Sequence, residues 1–124
     1  MSILDKHMKR EAQLESYRQD AGEPDEEHGG VAFWDENPRF NFEFPTPEGL
    51  MGVFVDMESN YVEIIGPSGK VVNTLPKGPD STSLVRLSDV SRELEKYSLA
   101  PEIMEKISLI LIRIGHEMGP QPYS

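Results

Sequence analysis

The sequence predicts an α+β domain in which an antiparallel meander of three or four strands is covered by C-terminal helices. Three observations lead to this prediction. Phe40, Phe42 and Phe44 alternate with Asn41 and Glu43, a period of two that is typical of a strand with one buried face. Three more short apolar runs follow, each set off by a polar or glycine-rich loop. The last third of the chain repeats its apolar residues at helical spacing.

The further strands of the meander are expected at residues 51–55, 61–65 and 70–75. The loop before the last strand, GPSGK, is predicted to be a β-turn. A phosphate-binding loop needs a glycine where Ile64 stands and Ser or Thr where Val71 stands. Prolines 45 and 47 are expected to end the first strand, because proline cannot donate to a sheet ladder.

Two helices are predicted after the meander. Ser88 is a candidate cap for the first, in which Val90, Leu94 and Tyr97 share a face. The second begins at Pro101 and continues to residue 118, before a Gly-Pro pair. Residues 107–114 are so rich in β-branched side chains that a buried strand remains the alternative.

The N-terminal part is predicted to be a helix on a flexible acidic linker. Residues 2–20 combine a possible capping pattern with a thin apolar stripe. Residues 21–30, AGEPDEEHGG, contain too little apolar surface to offset the entropy of ordering. The chain is therefore divided into residues 1–30, the helix and linker, and residues 31–124, the α+β domain.

Composition narrows the class of protein. The chain has 124 residues, no cysteine and a formal net charge of −10, so disulfides and thiolate chemistry are excluded. A pI near 4.7 argues against direct nucleic-acid binding. No apolar run is long enough to span a membrane and the N-terminus lacks a signal-peptide core, so we expect a cytoplasmic protein.

No pattern in the sequence indicates catalysis, a metal or a cofactor. The three histidines occur without a His-Glu-x-x-His or Gly-x-Ser-x-Gly motif. The acidic run around His28 lacks the spacing of a calcium loop or a zinc site. Glu43 and Glu63 are expected to face solvent, on the side of the sheet opposite its apolar residues. We therefore expect that the protein is not an enzyme.

The aromatic and proline-rich segment from Val31 to Pro47, together with two acids just before it, contains the candidate binding residues. Aromatic side chains, which are favoured interface anchors, are interleaved there with acids that would steer the chain toward a basic surface. The predicted partner-binding residues are Phe33, Trp34, Asp35, Glu36, Phe40, Phe42, Glu26 and Glu27. The alternative is that the aromatic rings, Phe44 included, form the core face of the sheet.

These features predict a non-enzymatic acidic protein-binding module, such as an inhibitor, immunity factor, chaperone or assembly adaptor. Its partner would be a larger protein with a basic surface. One alternative is a self-assembling structural subunit that forms a homo-oligomer through residues 101–118. Another is a nucleic-acid mimic that occupies a basic groove, which requires carboxylates spaced like phosphates.

Overall fold

The computed structural model describes residues 22–75 and 87–117, together with Gln19. These residues form a six-stranded antiparallel sheet in which each strand pairs with the next along the chain. The strands are β1 (Glu26–His28), β2 (Val31–Glu36), β3 (Arg39–Thr46), β4 (Gly49–Asp56), β5 (Tyr61–Ile65) and β6 (Val71–Leu75). The helices are α1 (Leu87–Leu94), a 3₁₀ turn (Glu95–Tyr97) and α2 (Pro101–Glu117). The α+β class is confirmed, and apart from Gln19 the predicted helix at residues 2–20 lies outside the described residues.

The prediction of three or four strands is wrong, because β1 and β2 extend the meander on its N-terminal side. Gly29 and Gly30 both have positive φ, at 55° and 88°, which is the backbone that a two-residue hairpin turn requires. The turn pairs His28 with Val31 and Glu26 with Phe33. The second half of the predicted flexible linker is thus an ordered strand, and the domain boundary predicted after residue 30 falls at the end of this turn.

One face of the sheet forms the core with the helices. Phe33, Phe42, Val53 and Ile64 are aligned across four neighbouring strands by the pairing register, and all four are buried. Pro45 does not end β3, which continues to Thr46. Pro45 lies beyond the last residue pair of the β2–β3 ladder. Its lack of a backbone N–H therefore removes no hydrogen bond to β2.

The C-terminal segment covers this face as a helix. Residues 107–114 lie within α2, so the strand alternative is excluded. The buried residues of α2 are Ile103, Ile107, Ile110, Leu111 and Ile114. They follow the helical period that continues on both sides of the β-branched run, and burial against β2 and β3 outweighs the weak helix preference of isoleucine.

The opposite face of the sheet is partly buried as well. Glu43 is only 8% exposed, so the expectation that it faces solvent is wrong. It lies beside the small residues Ala32 and Gly52 on the neighbouring strands. Glu63 is half-buried and accepts a hydrogen bond of 2.7 Å from the Tyr61 hydroxyl.

Hydrogen bonds stabilise two of the turns that connect the strands. In the GPSGK segment, the amide of Gly69 donates to the carbonyl of Gly66 at 2.9 Å, which confirms the predicted β-turn. Between β4 and β5, the carboxylate of Asp56 accepts the amides of Glu58 and Ser59 at 3.0 and 3.1 Å. Side-chain oxygens that accept turn amides stabilise a tight reversal of the chain.

Candidate functional site

The aromatic residues proposed as partner anchors are core residues in the structure. Phe33, Phe40, Phe42 and Phe44 are all buried. The rings of Phe33 and Phe40 are stacked, with centroids 6.3 Å apart. Because α2 covers this side of the sheet, these rings do not reach the surface, and the core alternative applies to them.

Trp34 is also removed from the surface, although it points to the other side of β2. Its side chain is 4% exposed, and its indole N–H donates to the carbonyl of Gly22 at 2.6 Å. The backbone at Gly22 therefore lies against the indole ring. Of the predicted partner-binding residues, Glu26, Glu27 and Glu36 are exposed, whereas the Asp35 side chain is only 12% exposed.

Two of these acids form ion pairs with the same arginine, which was not among the predicted site residues. Arg113 of α2 lies 2.6 Å from the carboxylate of Glu26 on β1 and 3.4 Å from that of Asp35 on β2. The guanidinium also lies over the Phe33 ring, 5.1 Å from its centroid. Arg113 thus joins the helix to the first two strands by ion pairs and by a cation–π contact.

A third carboxylate completes this cluster from the end of α2. Glu117 lies 3.7 Å from Arg113, one helical turn away. A hydrogen bond to Asp35, partial burial and the charges of Asp35 and Asp25 raise the pKa of Glu117 to about 7, against the lowering effect of Arg113. Glu117 therefore keeps its proton up to about neutral pH, as a carboxyl beside another acid does.

The remaining acids lie at the same edge of the sheet, but Glu27 and Glu36 alternate with Glu26 and Asp35 along their strands and face the opposite side from Arg113. Asp25 accepts the backbone amide of Asp35 through its carboxylate at 2.7 Å, while Glu27 and Glu36 are exposed. We call this surface the acidic edge; it consists of Asp25, Glu26, Glu27, Asp35, Glu36 and Glu117. In the described part of the chain, β1 is also the last strand on this side of the sheet.

Asp25, Arg113 and Glu117 were missed as site residues by the sequence analysis. The spacing of Arg113 and Glu117 is visible in the sequence as an i,i+4 pair on a helix. The residues that this pair meets are not visible there, because Asp35 and Arg113 are 78 positions apart. The meeting depends on how α2 crosses β1 and β2.

The acidic edge does not have the geometry of a metal centre. Within residues 22–75 and 87–117, no group of three or more His, Asp or Glu side chains is placed to hold a metal ion. Arg113 occupies the centre of the cluster, and a guanidinium there opposes the binding of a cation at the same point.

Comparisons with known proteins identify no relative. No family model, no curated protein and no solved structure matches the chain. In the described residues, neither helix has the length and apolar character needed to cross a bilayer.

Proposed function

We propose that this protein is a non-enzymatic binding module that docks a larger, basic protein onto its acidic edge. The observation that carries the proposal is that carboxylates from β1, β2 and the end of α2 converge on one edge of the sheet around a single guanidinium of α2. This proposal keeps the acids predicted from sequence as partner residues and omits the aromatic ones.

The electrostatics of the edge favour a cationic partner. Six carboxylates belong to this edge, on both sides of the sheet, and Arg113 lies within ion-pair distance of three of them. The pKa of Glu117 is raised to about 7 beside Asp35, which is the response of a carboxyl whose neighbouring like charges lack enough compensation. A lysine or arginine of a partner placed beside Asp35 and Glu117 would supply that compensation and release the proton.

The position of β1 at the edge of the sheet also favours docking at the acidic edge. β1 is short and acidic, and its side chains discourage pairing with an arbitrary strand. A partner with basic residues is selected by charge, since complementary potentials speed encounter and exclude partners of like charge. The expected interaction weakens as salt concentration rises, because exposed charges are screened.

The experiment that tests the proposal is a quantitative pull-down from the lysate of the native host with three baits. The baits are the wild type, the edge variant Glu27→Lys/Glu36→Lys and the control variant Glu48→Lys/Glu58→Lys. All four glutamates are exposed, and both variants change the net charge equally. The edge variant also leaves the ion pairs of Arg113 intact.

A stoichiometric protein retained by the wild type and the control but lost by the edge variant supports the proposal. Equal capture by all three baits, or equal loss by both variants, contradicts it. If the captured partner instead binds nucleic acid and the complex dissociates steeply with salt, the chain acts as a nucleic-acid mimic and the proposed class of partner is wrong.

A further inference from the structure

The outward face of α2 carries a short stripe that the fold leaves uncovered. It consists of Glu105, Leu109, Ile112 and His116, all exposed, with Leu109 56% and Ile112 57% exposed. A helix turns about 100° per residue, so these four side chains lie within an arc of about 60°. The stripe is about 16 Å long at about 1.5 Å per residue.

This stripe lies opposite the face that α2 buries in the domain. Ile107 and Ile114 are fully buried against the sheet, half a turn around the helix from Leu109 and Ile112. A helix with apolar residues on two opposite faces is expected to be buried on both. The sheet covers one of them, and the other is available to a second molecule.

The order of residues in the stripe is self-complementary. When two copies of α2 pair antiparallel about an axis midway between Leu109 and Ile112, each Leu109 meets Ile112 of the second copy. The same axis places each Glu105 beside His116 of the second copy, so both ends join a carboxylate to an imidazole donor. An interface about a two-fold axis requires this kind of reciprocal match.

A groove beside the stripe offers further apolar contact. It lies between α1 and α2 and has a volume of about 540 Å³. Leu87, Leu111 and Gly115 line it, and Ile112 belongs to both the groove and the stripe. Arg92 and Glu95 are also among its lining residues, so apolar space is combined with polar groups, as at the margin of an interface.

We propose that the stripe binds a second copy of this chain, forming a symmetric antiparallel α2–α2 dimer. This inference goes beyond the proposed function and does not depend on it, because the acidic edge lies to one side of the stripe. The stripe is small compared with stable interfaces, so the dimer is weak and depends on concentration. Dimerisation would present two acidic edges together and increase the avidity for a multivalent partner.

Sedimentation equilibrium of the full chain tests the proposal, at an ionic strength of about 0.15 M. Protein concentrations from about 10 µM to about 1 mM cover the range expected for a small interface. We expect the wild type to change from monomer to dimer in this range and Leu109→Glu to remain monomeric. The matched control is Val72→Glu, because Val72 is an apolar residue of β6 that is 46% exposed; it should dimerise like the wild type.

A charge exchange tests the pairing itself. Glu105→Lys should weaken the dimer at least tenfold, and Glu105→Lys/His116→Glu should restore it. Circular dichroism confirms that each variant is folded, which is expected because the substituted residues are exposed. A wild type that stays monomeric throughout, dissociation by Val72→Glu but not by Leu109→Glu, or a double exchange as weak as the single one would each overturn the proposal.

Discussion

The raised pKa of Glu117, which lies beside Asp35, makes the stability of the domain depend on pH near neutrality. The pKa of Glu117 is raised from 4.5 to about 7 in the folded chain. A carboxyl with a raised pKa binds its proton more tightly when folded, so its contribution to stability is fully present below about pH 4.5. That contribution is lost as the pH rises to about 7, because Glu117 then ionises beside Asp35.

The size of the effect follows from the difference between the two pKa values. It corresponds to about 3 kcal/mol at about 1.4 kcal/mol per pH unit. The Glu117 side chain is 31% exposed, and solvent screening reduces the expected effect to about 1–2 kcal/mol. Glu117→Gln removes the titration and keeps a neutral donor toward Asp35. Between about pH 5 and about pH 8, the unfolding free energy of the variant should therefore rise by about 1–2 kcal/mol relative to wild type.

Urea unfolding measured by tryptophan fluorescence is a suitable assay, because the chain has one tryptophan and Trp34 is buried. Comparing variant with wild type cancels the titration of the histidines. Glu102→Gln is the matched control, since Glu102 is an exposed glutamate at the other end of α2, and its difference from wild type should not change with pH. If Glu117→Gln and Glu102→Gln behave alike, the reasoning about the carboxyl pair is refuted.

Three further predictions concern stability, each measured by the same unfolding assay. Phe42→Ala should lower the unfolding free energy by about 3–5 kcal/mol, because the ring is fully buried. Val72→Ala, at an exposed position of β6, should change it by less than about 0.5 kcal/mol. Similar losses in the two variants would contradict the assignment of Phe42 to the core. Asp56→Ala should cost about 1 kcal/mol above pH 4 by removing the acceptor of two turn amides. Burial acts to raise the pKa of Asp56, but the amides of Ser59 and Glu58, the Ser59 hydroxyl and Arg39 lower it below 3.8 overall. The loss of unfolding free energy in Asp56→Ala should therefore shrink as the pH falls below that value. A loss that grows in acid would count against this role of Asp56. Glu93→Ala should lower the unfolding free energy by about 1–3 kcal/mol, because the buried carboxylate accepts hydrogen bonds from Asn73 and Lys96. Glu93→Gln should lower it less. An unchanged stability of Glu93→Ala would show that this link between β6 and α1 is dispensable.

Most of the secondary structure was predictable because it depends on local spacing. The alternation around Phe42 indicates a strand, and the apolar residues around Ile107 recur at a helical period. β1 was missed because its residues, Glu26–His28, have no apolar alternation of their own. It becomes a strand because the turn at Gly29 and Gly30 returns the chain against β2, which supplies the hydrogen bonds.

The candidate site was predictable only in part. The density of acids in the first half of the chain indicated a partner of opposite charge, and the composition of the segment did not decide whether its aromatic rings were core or interface. That choice depends on whether another layer covers the sheet. α2 provides the layer and buries Phe33 and Phe42, while Glu26, Glu27 and Glu36 stay exposed.

The sequence by itself therefore determined the α+β class, the meander from β3 to β6, the two C-terminal helices and the acidic character of the N-terminal half. These properties follow from residue spacing and charge along the chain. Only the tertiary structure decided that the phenylalanines are core, that Glu43 is buried and that Asp35, Arg113 and Glu117 meet. Burial and ion pairing depend on which distant segments pack together, and local periodicity contains no information about that packing.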